Sequence, residues 1–132
     1  MQVVTVRTAK SKGSSMEYST QYSLSKIHPD VYRTAERGFQ RQFDLHIPSQ
    51  DIAIECKRLK GVSWNQLLKF YKKLVSVSDC NTNYVVFKSN NQPALVLLEE
   101  SGFYVIKTFE SVFKTPFEKH PSTRVKKHEP TE

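Results

Sequence analysis

The fold is set by residues 43–57, which read FDLHIPSQDIAIECK. Apolar and polar residues alternate in this stretch, both before and after residues 48–51. A period of two on both sides of a turn is typical of a β-hairpin. A two-residue turn at its centre, or any turn with an even number of residues centred there, fixes the register of the two strands. Asp44 is then predicted to lie directly opposite Glu55.

Lys57 is two residues beyond Glu55, so these two residues and Asp44 are predicted to share one patch of the sheet. Opposed carboxylates destabilise a sheet, but they suit Mg²⁺, which takes one or two carboxylates and completes its shell with water and phosphate oxygens. A nearby lysine can stabilise charge on a transferring phosphoryl group. The pattern therefore favours metal-assisted hydrolysis of phosphodiesters. An ordinary solvated sheet face is the alternative.

The composition is that of one soluble, basic domain. A length of 132 residues fits a single domain with its own core. Twenty Lys and Arg against thirteen Asp and Glu give a net charge of +7. The excess is concentrated between Cys56 and Ser78, where there are six basic residues and no acidic one. Such a charge favours a polyanionic partner, although it also fits a merely solvated surface.

Other features of the chain predict its location and its boundaries. The two cysteines, Cys56 and Cys80, form neither a disulfide framework nor a zinc motif. Because no apolar run could span a membrane and no signal-peptide pattern begins the chain, we expect a cytoplasmic protein. Apolar content falls near the carboxyl terminus. This predicts a single domain over residues 1–114 and a basic, disordered tail over residues 115–132.

One helix is predicted on each side of the hairpin. Ser14 and Glu17 have the spacing of a capping box, and Ser63 and Gln66 repeat it. Apolar residues at helical spacing follow Ser63, so Trp64, with the others on that face, is expected in the core. Cys56 alternates onto the apolar face of its strand and is expected to be a buried thiol.

The remaining elements complete an α/β pattern. Further strands are predicted over residues 84–88, 94–98 and 103–107, followed by a short helix over residues 109–113.

Asp44, followed by Ile54-Glu55-Cys56-Lys57 and then an amphipathic helix, resembles the PD-(D/E)XK nuclease superfamily. Residues 12–17, KGSSME, are similar to the opening of archaeal Holliday junction resolvases, in which a helix bears a metal-site glutamate. The similarity covers the chain from about Lys12 to Lys107. It implies a restriction-endonuclease-like α/β fold with a central mixed β-sheet flanked by helices.

The resemblance also implies roles for individual residues. Asp44 and Glu55 would bind Mg²⁺, for which Mn²⁺ could substitute, with help from the backbone carbonyl of Cys56. Lys57 would position or activate the attacking water. Glu17 would be an outer-shell or second-metal ligand, although a capping box explains that residue equally well.

This sequence departs from the family at two positions. Phe43 stands where the superfamily's name has a proline, although resolvases often lack that proline too. Tyr18 stands where a basic residue often follows the helix glutamate.

The function implied is that of a metal-dependent endodeoxyribonuclease, a homodimer that resolves branched four-way DNA junctions. One alternative is a related nuclease acting on duplex, flap or end substrates. Another is a non-catalytic basic DNA-binding protein on a degenerate nuclease fold. Eight basic residues are the predicted contacts to DNA phosphates: Arg33, Arg37, Arg41, Arg58, Lys60, Lys69, Lys72 and Lys73.

Overall fold

The computed structural model describes residues 15–38 and 43–121. In these ranges six strands form one sheet, ordered as they occur in the sequence. All neighbouring strands are antiparallel except the third and fourth, which are parallel. The predicted α/β architecture, a central mixed sheet flanked by helices, is confirmed.

The elements have the following bounds. The strands are β1 (Tyr32–Arg33), β2 (Leu45–Ile47), β3 (Ile52–Arg58), β4 (Thr82–Lys88), β5 (Leu95–Glu100) and β6 (Phe103–Thr108). The helices are α1 (residues 15–24), α2 (Trp64–Val77) and α3 (Phe109–Phe113). The strands and the short helix predicted after α2 are confirmed to within two residues at each end. None of the helices in the described ranges is long and apolar enough to cross a membrane.

Helix α2 makes the crossover that the parallel pair β3 and β4 requires. The hydroxyl of Ser63 accepts a hydrogen bond of 3.1 Å from the amide of Gln66, so the predicted N-cap is confirmed. Leu67, Tyr71 and Leu74 are buried on one side of the sheet. We call this side the α2 face.

The other side of the sheet, the α1 face, is covered by α1 and α3. Met16 and Leu24 of α1 and Phe109 of α3 pack there against apolar residues of β2 and β3. Cys56 lies among them, so the predicted buried thiol is confirmed. The predicted helix cap at Ser14 falls outside the described residues.

The expectation that Trp64 lies in the core is wrong, because this side chain is 45% exposed. Helix α2 rests on the sheet through the row formed by Leu67, Tyr71 and Leu74, which recur at intervals of three and four residues. Trp64 continues this spacing three residues before Leu67, but it occupies the first helical position and is left exposed at that end of α2. Helical spacing alone could not show how much of the helix's length the sheet would cover.

The predicted boundary after residue 114 is too early. Thr115 is buried and Phe117 packs against the core of the α1 face. The amide of Glu118 donates a hydrogen bond of 2.8 Å to the Ser23 hydroxyl of α1. These contacts bring residues 115–121 into the domain, although their composition is polar. Residues 122–132 of the predicted tail lie outside the described residues.

Leu67→Ala is expected to lower the free energy of unfolding by about 2–4 kcal/mol, because it leaves a cavity between α2 and the sheet. Trp64→Ala is the control and should cost less than about 1 kcal/mol despite its larger loss of volume. Urea denaturation of the two variants measures both values. Equal losses of stability would contradict the packing described for α2.

Candidate active site

A β-bulge at Asp44 shapes the candidate site. Leu45 pairs with Ile54, but the amide of Asp44 also donates to the Ile54 carbonyl, at 3.1 Å. Two residues of one strand therefore oppose a single residue of the other, which re-aims the side chains on the bulged strand. As a result, Phe43 packs on the α2 face while Leu45 packs on the α1 face.

The predicted hairpin register is confirmed where the strands pair, since Ile47 faces Ile52 across a four-residue turn. The expectation that Asp44 stands directly opposite Glu55 is wrong, because the bulge places Asp44 opposite Ile54, which already pairs with Leu45. Instead, the Asp44 Oδ2 atom accepts a hydrogen bond of 2.8 Å from the amide of Cys56. The carboxylate thus occupies the place of a strand partner at the open edge of β3, beside Glu55.

Glu55 and Lys57 point to the α2 face, as the pairing of β3 with β4 requires. Their neighbours on β4 are Val85 and Phe87, which belong to the core of that face. The Lys57 ammonium lies 3.4 Å from Glu55 Oε2 and 4.5 Å from the centre of the Phe70 ring. The charge of Lys57 is therefore held between a carboxylate and an aromatic face.

Glu17 reaches the same edge from α1, and Arg33 of β1 is its counter-ion. The Arg33 Nε and Nη2 atoms both lie 3.1 Å from Glu17 Oε1. The Arg33 guanidinium also lies 4.2 Å from the centre of the Tyr18 ring and near the Glu36 carboxylate. Arg33, predicted as a phosphate contact, is thus engaged within the protein and largely buried.

Burial raises the pKa of all three carboxylates, and neighbouring carboxylates add to the shift at Glu17 and Glu55. Burial raises the pKa of Glu55 to about 7, and the charge of Asp44 adds to the effect. Burial and Asp44 likewise raise the pKa of Glu17 to about 7, against the opposing charge of Arg33. The pKa of Asp44 is raised by burial, although the hydrogen bond from Cys56 acts in the other direction. These groups form one electrostatic unit at the edge of β3.

This donor set fits a divalent cation at a two-carboxylate site. In residues 15–38 and 43–121, no three His, Cys, Asp or Glu side chains are placed to hold a metal ion together. Mg²⁺ needs only one or two carboxylates when water and phosphate supply the rest, and Asp44 and Glu55 can provide them. Because the N–H and C=O of one strand residue point to the same edge, the Cys56 carbonyl faces Asp44 as well.

The Cys56 thiol is unsuited to metal binding. It packs in the core of the α1 face, and burial raises its pKa well above the ordinary value. The thiolate form that a metal requires is therefore disfavoured.

The other predicted phosphate contacts are spread over several parts of the fold. On α2, Lys69, Lys72 and Lys73 lie on the exposed side, and Lys60 is exposed beyond the end of β3. Arg37 stacks on the ring of Tyr32 at 3.7 Å. Arg58 ends β3, and Arg41 falls outside the described residues.

Two features of the site were not predictable from the sequence. The bulge left no signal, because Phe43, Leu45 and Ile47 alternate as they would in a regular strand. The pairing of Arg33 with Glu17 spans sixteen residues and depends on how β1 joins the sheet. A segment without clear periodicity gave no reason to expect a strand there.

Comparison of the chain with models of known protein families, with curated proteins and with solved structures finds no match. The candidate site therefore has to be interpreted from its own geometry and chemistry.

In the presence of EDTA, we expect the free energy of unfolding to fall as the pH rises from about 5 to about 8. Glu17 and Glu55 have pKa values of about 7 in the folded protein against 4.5 ordinarily. The folded state therefore holds protons that the unfolded chain has already released, and this stabilisation is lost as the pH rises through about 7. Glu55→Gln should reduce the fall by about 2 kcal/mol, measured by urea denaturation across the pH range.

Glu100→Gln is the matched control for this series, because Glu100 is an exposed carboxylate paired with Lys107. Its pH profile should follow that of the wild type. A Glu55→Gln profile indistinguishable from the wild-type profile would contradict the electrostatic unit described above.

A double-mutant cycle on Arg33→Gln and Glu17→Gln at pH 8 should give a coupling energy of about 1–3 kcal/mol, because both side chains are mostly buried. The exposed pair of Lys26 and Glu118 provides the control cycle. Its coupling should stay below about 1 kcal/mol, since water screens such pairs. Similar values for the two cycles would show that Arg33 does not hold Glu17.

Proposed function

We propose that this protein is a metal-dependent nuclease that hydrolyses phosphodiester bonds in DNA. The observation that carries the proposal is the meeting of Asp44 and Glu55 at the open edge of β3, with Lys57 beside them. A stable sheet gains nothing from buried carboxylates that repel one another. A divalent cation between them would remove that cost and would supply a reason for the arrangement.

The architecture supports the same proposal. A helix bearing Glu17, a hairpin bearing Asp44 and Glu55, and a crossover through α2 occur in the order that the PD-(D/E)XK superfamily shares. We therefore propose that the mixed sheet is a restriction-endonuclease-like fold. Within it, Asp44, Glu55 and the Cys56 carbonyl would hold the metal, and Glu17 would act from the outer shell, oriented by Arg33.

Mg²⁺, when bound, would lower the pKa of a water molecule and neutralise charge on the phosphate. The protein's own groups would supply orientation and further charge. Lys57 is held between Glu55 and Phe70, so its ammonium is in place to donate to a phosphate oxygen or to the attacking water. Asp44 is fixed by the Cys56 amide and therefore needs little reorganisation to bind.

The basic surface favours DNA as the substrate, gripped through its phosphates. Three lysines on the exposed side of α2 lie on the same face of the sheet as Lys57. We propose branched four-way junctions as the preferred DNA. A homodimer would then place one site on each of two opposed strands.

The wild-type protein is expected to nick a four-way junction in Mg²⁺ or Mn²⁺ and to leave it intact in EDTA. Asp44→Asn, which can still accept the Cys56 hydrogen bond, should lower the cleavage rate at least about 100-fold. Cleavage is followed on labelled strands under single-turnover conditions. The exposed-carboxylate variant Glu100→Gln should cleave at the wild-type rate.

Three other results are informative. Faster cleavage of duplex, flap or end substrates would favour a related nuclease over a junction resolvase. Salt-sensitive binding that ignores Mg²⁺, with no cleavage of any substrate, would identify a non-catalytic DNA-binding protein. Unchanged cleavage by Asp44→Asn would overturn the proposed site.

A further inference from the structure

A second cluster of charges lies at the carboxyl ends of β3 and β4. Arg58 and Lys88 are partners in the parallel register, so their side chains are neighbours on the same face of the sheet. That face is the α1 face, because Cys56 and Val86, two residues earlier on each strand, both pack there. Neither basic residue contacts the carboxylates of the candidate active site.

Lys119 approaches this pair from the segment that follows α3. Phe117, two residues before Lys119, packs against the core of the α1 face. Burial lowers the pKa of the Lys88 ammonium, and the nearby charges of Arg58 and Lys119 lower it further. Three cations that repel one another are therefore held together by the fold.

The hydrogen bonds of the cluster are incomplete. Arg58 Nη2 donates to Asn90 Oδ1 at 3.0 Å, and Lys88 Nζ donates to the Ser89 carbonyl at 3.3 Å. The Nε atom of Arg58 is buried without a hydrogen-bond partner. In the described ranges, no carboxylate forms an ion pair with any of the three basic residues.

Among the described residues, the buried Nε–H of Arg58 has no acceptor, and the neighbouring cations have no counter-ion. An oxyanion would satisfy both the donor and the charges. Phosphate suits the cluster because it offers several strong acceptor oxygens to a guanidinium and two ammonium groups at once. Arg58 is three residues beyond Glu55 on β3, roughly 10 Å along the strand at a rise of ~3.3 Å per residue, but on the opposite face of the sheet. A nucleic-acid strand that used both places would have to pass around the carboxyl ends of β3 and β4.

We propose that Arg58, Lys88 and Lys119 form a phosphate-binding site, separate from the carboxylate site, that holds a phosphate group of the bound DNA strand. The assignment of the strand rests on the proposed function, whereas phosphate binding itself does not. An internal phosphodiester and a 5′-terminal phosphate offer the same chemistry. The experiment separates these two sources.

Titration of the full-length protein with inorganic phosphate, followed by ¹H–¹⁵N NMR, tests the site without nucleic acid or metal. The Arg58 Nε–H signal should shift saturably, and chloride at the same ionic strength should not reproduce the shift. Lys119→Gln, which changes an exposed residue, should weaken phosphate binding about fivefold to tenfold. Absence of a saturable shift, or unchanged binding by Lys119→Gln, would overturn the site.

DNA binding measured by fluorescence anisotropy in EDTA tests the role of the site on the strand. Lys88→Gln and Lys119→Gln should each reduce the slope of log K against log salt by about 0.7–0.9. Lys107→Gln is the control, because it removes the same charge from a lysine that is paired with Glu100. If both variants behaved like this control, the strand would not use the site.

Oligonucleotides with and without a 5′-phosphate identify the source. Equal affinities would assign the site to an internal phosphodiester. A lower affinity for the oligonucleotide that lacks the 5′-phosphate would assign the site to the strand end, provided that this difference disappears in Lys119→Gln. All of these measurements are made without Mg²⁺ and are therefore independent of cleavage. A protein that binds phosphate here but never cleaves DNA would overturn the proposed function and still support the phosphate-binding site.

Discussion

The arrangement of the candidate site depends on one hydrogen bond, from the amide of Cys56 to the carboxylate of Asp44. Strand β2 begins only at Leu45, opposite Ile54, while β3 continues to Arg58. The edge of β3 beyond Ile54 is therefore left without a β2 partner. A buried backbone donor at such an edge requires an acceptor. The bulge turns the Asp44 carboxylate into that position, and a negative charge is thereby fixed in a poorly solvated part of the sheet.

The remaining charges of the site are arranged around that carboxylate. Arg33 neutralises Glu17 and Lys57 neutralises Glu55, whereas Asp44 is offset by hydrogen bonds from the Cys56 amide and the Glu17 side chain and by more distant cations. The result is a small acidic region in a protein of net charge +7. A basic surface attracts phosphates, and an acidic region within it attracts cations. The proposed metal would reconcile the two.

The hairpin, α2 and the strands after it were predictable because each has a local pattern. Alternation gave β2 and β3, and Ser63 marked the start of α2. The same patterns predicted a Trp64 side chain in the core, which the structure places at the edge of the α2 contact. Period and capping report the local conformation of the chain. They do not report how much of a helix the sheet covers.

The sequence by itself determined helix α2, the hairpin strands and their register, the strands after α2 and the identity of the candidate acidic and basic residues. Only the tertiary structure decided how those residues meet. The bulge at Asp44, the pairing of Arg33 with Glu17 and the approach of Lys119 to Lys88 join segments that are distant in the chain. Such contacts depend on packing between elements, which no local pattern of residues encodes.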